Sequence, residues 1–495
     1  MELRGWISEI TEFGMEGSEL IFQDEAHCDF PSSNYQREGV HWLTDGDILT
    51  ILNPDGSILW HGTLPGNVNL DVWNGWFRSN PPLRAILRKA AFRRHQNDLA
   101  DDLVREGDEE LGSGNLASAI SAFLKAIEIW QELLKSNPQD TGCEYSLADA
   151  LERLVAAEYA SGQFSTIRTT SLRAVELWEA LRQSRPNDIR CEFRLAAALV
   201  RLGAAEYISE QPAASRLAFR RAVELWEALC SAPSSTIEIW DALCKSSPYQ
   251  KCEYCLADAL FRLGSLESIL GQPDAARTAN NRAVELWHAL VVAHPNVIEY
   301  QTKLADALIT LGATEGYSGE PNATRKDYGK AIEIWQTLVD VKPTDTSHQY
   351  NLASTLFQLG NFERESRQLE SAFKAYSDAI KICEDLVKIE PADCNLLFIL
   401  GVSQYRVGRY ADSAKTLADS VAPRKILTQA TKQPIFFVFL AMAYWQLGQK
   451  DEAQAIFCRV HELMKLPENS NVPENQMYLS EAAELLTQER SNKNR

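Results

Sequence analysis

Cysteine and histidine are the residues of this chain whose type and spacing could hold a metal or serve as a nucleophile. Cys252-Glu253-Tyr254-Cys255, with Cys244 nearby, has half of a zinc-ribbon spacing. No second pair stands at metal-ligand spacing. Cys143, Cys191 and Cys252 moreover occupy one equivalent position of an internal repeat, and Cys255 stands where Ser146 and Arg194 do. The pair therefore reads as repeat residues before it reads as a ligand set. His27, Cys28, His41 and His61 lie together near the N-terminus with Asp45 and Asp47. A catalytic histidine needs a partner within hydrogen-bond reach, and spacing supplies none here. GxxxxGK[ST], GxGxxG and HExxH do not occur, so nucleotide, dinucleotide and zincin chemistry lack their markers. The expectation is no enzyme, no metal and no cofactor. The alternative is a ligand sensor or enzyme whose activity lies in residues 1–90, with the rest of the chain recruiting it.

The elements that would have to position such residues follow from composition and period. With 45% hydrophobic and 24% charged residues among 495, most of the chain can bury enough apolar surface to fold. A formal charge of -19 opposes binding to nucleic acid or anionic membrane, since like charges repel. Acidic residues stand where a signal peptide needs a basic start, and no apolar run approaches a membrane span of ~20 residues. A cytoplasmic protein is expected, and its ten cysteines are expected to be thiols.

The phrase A-[VI]-E-[LI]-W recurs at Trp130, Trp178, Trp226, Trp287 and Trp335, and its column ends in Cys383, with gaps of 48, 48, 61, 48 and 48. A second phrase, L-A-x-x-L-x-x-L, starts at Leu147, Leu195, Leu256, Leu304 and Leu352 with the same period and the same interruption. The 13 extra residues echo one helix, since ELWEALCSAP around Trp226 is repeated as EIWDALCKSSP around Trp240. An additional turn and helix is expected between Ser231 and Pro248. Each unit reads as two amphipathic helices separated by a break near Gly162, Gln211, Gly271 or Gly319 and closed near Pro138, Pro186, Pro233 or Pro343. Two helices cannot cover their own apolar faces; stacked neighbours do.

At Leu400 (LGVSQYRVGRYADSAKTLADS) and Leu440 (LAMAYWQLGQKDEAQAIF) the chain resembles the tetratricopeptide repeat family, whose unit is 34 residues with small residues where helices cross. The six earlier units are 48 long. Leu147 to Gly162 spans 15 residues where Leu440 to Gly448 spans 8, so the first helix gains seven, and the second helix gains seven as well, about two turns each. The resemblance covers roughly residues 95–467. It implies a mainly α protein, a right-handed α-solenoid of helix hairpins, with six long repeats over 95–390, two of usual length over 394–467 and a capping helix over 474–489. Long repeats with internal near-identity also resemble those of bacterial signalling and scaffold proteins.

Residues 1–80 change to period-2 segments. Ile48–Leu52 and Ile58–Leu64 flank Asn53-Pro54-Asp55-Gly56, a hairpin turn. A small β-rich domain, a roll or barrel built around several tryptophans, is expected there. Pro81-Pro82 then breaks the chain before a basic linker helix over 81–94, whose arginines the acidic run from Asp98 to Glu110 is placed to neutralise.

The tryptophan column reads as core rather than as a ligand ladder. Pairs spaced by three residues, such as Arg221 with Glu224 and Asp378 with Lys381, read as intrahelical ion pairs worth a few tenths of a kcal/mol. By the resemblance, first helices line the concave groove. Two residues before the phrase-opening leucine stand Tyr145, Phe193, Tyr254 and Tyr350 in four of the units; two residues after it, or after the equivalent Leu99, stand Asp101, Asp149, Asp258 and Asp306. Partner-binding residues are therefore expected at Tyr145, Asp149, Phe193, Tyr254, Asp258, Asp306 and Tyr350. The competing reading pairs the aspartates with Arg105, Arg153 and Arg262 one turn on, and packs the aromatics between units. Carboxylate-holding members of the family use Lys and Asn at these places, so the expected partner is a protein or peptide that is basic or carries aromatic or apolar anchors. The chain is then an adaptor or scaffold, with self-association a further possibility.

Overall fold

The computed structural model describes residues 41–45, 48–52, 58–63, 81–231 except 187, 252–421 except 392, 433–466, 469 and 473–492. Near the N-terminus, β1 (His41–Asp45), β2 (Ile48–Leu52) and β3 (Ile58–Thr63) form an antiparallel sheet in the order β1-β2-β3. The register sets Trp42 opposite Ile51 and Thr50 opposite His61, with a shift between Ile51 and Leu52. Among the described residues the sheet is open and has no further strand. The hairpin turn and the remainder of the expected roll or barrel lie outside them, as does the helix expected between Ser231 and Pro248.

After the sheet, every described element is a helix. α1 (Pro81–Gly112) is one helix of 32 residues, so the basic segment and the first helix of the first repeat are continuous. Pro81 and Pro82 sit in its first turn, where a missing N–H costs nothing, and no breaker stands between Arg94 and the acidic run. There follow α2 (Leu116–Ser136), α3 (Thr141–Ser161), α4 (Phe164–Ser184), α5 (Ile189–Ile208), α6 (Pro212–Cys230), α7 (Cys252–Ile269), α8 (Pro273–Ala293) and α9 (Ile298–Tyr317). The later helices are α10 (Pro321–Val341), α11 (Thr346–Glu365), α12 (Leu369–Ile389), α13 (Cys394–Arg406), α14 (Tyr410–Val421), α15 (Pro434–Gln446), α16 (Lys450–Leu463) and α17 (Pro473–Asn492). A first helix of a long unit, α3, has 21 residues, and its counterpart in the last short unit, α15, has 13. The chain divides into two compact units, 1–259 and 260–495.

In the first unit each helix from α1 to α6 packs on the next, and α1 also touches α3. The same succession runs from α8 to α16 in the second, with α11 on α13 and α13 on α15. Local chemistry fixes where helices start and stop. Asp140, Asp188, Asp345 and Asp393 are N-caps of first helices, and each side chain accepts a backbone N–H two or three residues on, at 3.2, 3.1, 3.1 and 2.8 Å. The hairpin turns are Schellman closures. Gly162 adopts φ +71°, its N–H reaches the Tyr159 carbonyl at 3.2 Å, and Gln163 N–H reaches that of Glu158 at 3.0 Å. Glu210 and Arg367 hold the same left-handed position at φ 57° and 60°.

Second helices bury the large residues. Trp130, Trp178, Trp226, Trp287 and Trp335 are each at most 2% exposed, and Cys383 is fully buried in the sixth place. First helices meet them through small residues. A Cβ added to Gly203 would stand 2.7 Å from the Phe219 ring, and one added to Gly360 would stand 2.7 Å from Tyr376. In the unit with Val155 at that place, the residue equivalent to Phe219 is Ser171, so bulk has moved from one helix to the other and the volume is kept.

Candidate partner-binding face

The residues expected to bind a partner all lie on first helices: Tyr145 and Asp149 on α3, Phe193 on α5, Tyr254 and Asp258 on α7, Asp306 on α9 and Tyr350 on α11. Their surroundings differ. Tyr145 is half-buried, edge-on to Trp178 at 4.8 Å, with the Arg190 guanidinium 5.9 Å above its ring. Phe193 is only 8% exposed and sits edge-on to Trp226 at 4.6 Å. It belongs to the core, because the edge-to-face contact with the column tryptophan takes up its ring. Tyr254 and Asp258 are half-buried.

Asp149 is not an open acid. Its carboxylate accepts from Arg153 Nε at 3.0 Å on its own helix and from Arg194 Nη2 at 3.0 Å on α5. Arg153 reaches back to Asp108 on α1, and Glu152, 3% exposed, takes Arg201 and lies 3.9 Å from Arg194. Burial pushes the Glu152 carboxyl up, against the pull of Arg201 and Arg194. Three carboxylates and three guanidiniums thus alternate across α1, α3 and α5, and this stretch of the first unit is charge-balanced where an acidic stripe was expected. The physical reason is that the arginines come from the same helix and from the next unit together, and the second source is invisible to i,i+4 reasoning.

Two further ion-pair expectations change in the same way. Arg105 pairs with Asp102 rather than Asp101, and burial together with Asp98 and Asp102 holds the Asp101 carboxyl above the usual range. Lys381 closes on Asp378 at 2.8 Å, whereas Arg221 reaches Glu179 on the preceding second helix, α4, at 2.5 Å.

In the second unit, Asp306 occupies the column place of Asp149, but Thr310 stands where an arginine would pair with it. Burial pushes the Asp306 carboxyl up to about 6, with Lys303 opposing and Glu299 adding to the shift. Tyr350 lines a cavity of about 320 Å³ with Thr346, Ser347, Asn351, Glu390 and Asp393. Burial and the neighbouring Asp393 raise its phenol.

A second column escaped the reading of the sequence. Eleven residues after the phrase-opening leucines stand Glu158, Glu206, Glu267, Glu315 and Glu363, all buried. Arg168 on α4 donates to Glu206 on α5 at 2.8 Å, and Arg325 on α10 makes a forked pair with Glu363 on α11 at 2.9 and 3.0 Å. Each fastens the second helix of one unit to the first helix of the next. The signal was present, since Arg168, Arg216, Arg277 and Arg325 recur with the gaps of the main repeat, 48, 61 and 48.

Among the described residues, no group of three or more His, Cys, Asp or Glu could hold a metal ion, and no helix is long and apolar enough to cross a membrane. His41 lies on β1 and His61 on β3, the outer strands of the sheet, with β2 between them. His27, Cys28 and Asp47 lie outside the described residues.

Residues 436–463 match the family described as Tetratricopeptide repeat. This stretch is α15 and α16, where both helices have their usual length; two extra turns in the helices of the long units move the family's spacing out of register there. No curated protein sequence matches the chain. Among solved structures, the chain is similar to BtubC of P. vanneervenii, at 15% identity over 55% of this chain and 92% of that one, with a TM-score of 0.40. It is similar to a tetratricopeptide repeat protein from Parabacteroides merdae at 12% identity, over 68% and 98% of the two chains, TM-score 0.37. A thermophilic protein of that kind from Thermus thermophilus is 20% identical over 46% and 98%, TM-score 0.31. Scores this low carry no argument. The weight rests on the match at 436–463, which shows a tetratricopeptide repeat in those residues, and the helix hairpin recurs through both units.

Proposed function

We propose that the chain is an adaptor or scaffold that binds a partner protein or peptide through the exposed face of its first helices. One observation carries this reading. Second helices bury their column tryptophans in the core, while first helices present Tyr145, Asp149, Arg153, Arg190 and Arg194 partly exposed. A face of paired charges with half-buried aromatics suits selective protein recognition, because a mismatched partner leaves the arginines or carboxylates unpaired. In the first unit the mixed signs favour a partner of mixed charge over a purely basic one.

Asp306 and Tyr350 are the binding positions of the second unit. An aspartate with its carboxyl raised to about 6 by burial costs the fold stability, and groups perturbed in this way cluster at functional sites. A basic or hydrogen-bonding group of the partner would relieve it. Asp306→Lys combined with Tyr350→Ala, in a full chain whose helix content is unchanged, is expected to weaken capture of a partner at least tenfold. Unchanged capture of every partner by that variant would sink the assignment of these two residues.

A further inference from the structure

The last helix lies across first helices. α17 packs on α15, with Tyr478, Ala482 and Leu486 buried to 6, 0 and 7% exposure. These are spaced by four, one stripe of a helix, and they join the cluster that holds Phe437 and Phe439. Beside the stripe, Glu481 takes a two-pronged contact from Arg406 of α13, one prong at 2.9 Å, and lies 3.8 Å from Arg364 of α11. Arg406 is itself only 7% exposed and sits over the rings of Phe439, Tyr405 and Tyr478 at 4.9, 5.7 and 6.0 Å. Three first helices thus supply a seat made of two guanidiniums and an aromatic floor. The occupant is an amphipathic helix with an aromatic residue, a glutamate three residues on, an alanine four on and a leucine eight on.

That seat is incompletely satisfied. Among the described residues, the Nε groups of both Arg364 and Arg406 are buried without a hydrogen-bond partner. Such donors are costly, and a ligand that supplied a second carboxylate would gain what α17 forgoes. We infer that the face formed by α11, α13 and α15 is a helix-binding site which α17 occupies in cis, and that an acidic amphipathic helix of a partner protein takes it by displacing α17. The inference rests on the adaptor reading and deepens it for this one surface, where the partner is acidic rather than basic.

The test uses the full chain and, as probe, a fluorescent peptide with the sequence of residues 473–492. Glu481→Ala in the chain removes the carboxylate that holds α17 and leaves both arginines in place. The peptide is expected to bind the Glu481→Ala chain at least tenfold more tightly than the unaltered chain, and a peptide carrying Glu481→Lys is expected to bind neither. No binding to either chain, or equal binding to both, overturns the inference and makes α17 a permanent cap. A dimeric Glu481→Ala chain by light scattering overturns it in favour of a second copy. Hydrogen exchange of the unaltered chain keeps the idea open to refutation should the variant misfold. The amides of α17 are expected to exchange well ahead of those of α15, and simultaneous exchange overturns the proposal. Failure here would leave the Asp306 and Tyr350 test untouched, so the two readings fail separately.

Discussion

Asp149 and Asp306 occupy one column of the repeat and meet opposite fates, which sets what can be expected of each. Asp149 lies between two arginines; burial raises Asp306 from 3.8 to about 6. An acid with a raised folded-state value has its ionised form penalised by folding. Its burden is absent below the unfolded value near 4 and fully present above about 6, so stability falls as pH rises through that window. Asp306→Asn is therefore expected to stabilise the chain by about 1–3 kcal/mol at pH 7.5, with little change at pH 3.5. Urea melts at the two pH values check this. A gain independent of pH would contradict it. The sequence alone showed which residues share a column, because identical spacing puts them on one helix face. It could not show that Arg194 reaches Asp149 from the next unit, or that Phe193 turns its ring onto Trp226, since both contacts join helices whose mutual rotation no local pattern encodes.

At the scale of the element, the hairpins were legible because period, breakers and caps agree. Asp140, Asp188, Asp345 and Asp393 open first helices, and glycine closes most of them in the left-handed conformation. The two exceptions give a clean expectation. Glu210 and Arg367 carry Cβ atoms at φ near 60°, which costs ~1 kcal/mol or more, partly offset by the added freedom of glycine in the unfolded chain. Glu210→Gly or Arg367→Gly is expected to stabilise by about 0.5–1 kcal/mol, read as a higher urea midpoint with an unchanged slope. A loss of stability would show that the side chain does more than fill the turn. What the pattern missed was continuity. The helix expected over 81–94 does start at Pro81, where proline in a first turn costs nothing, but it runs on to Gly112 because no breaker stands between Arg94 and the acidic run.

For the whole molecule, successive hairpins pack on one another within each compact unit, so the stability of a unit is close to a sum over its hairpins and their junctions. The Arg168–Glu206 and Arg325–Glu363 pairs are such junctions. The proposed function places binding on the first helices of each unit, and the direct way to see it is to ask where a partner touches. A photo-crosslinking phenylalanine analogue placed at Tyr350 or Tyr254 on first helices, and separately at the exposed second-helix positions Val292 and Phe373, would mark every protein that docks within reach. A partner is expected to be trapped efficiently from Tyr350, or from Tyr254, and not from Val292 or Phe373. Trapping of that partner from the second-helix positions alone would contradict it.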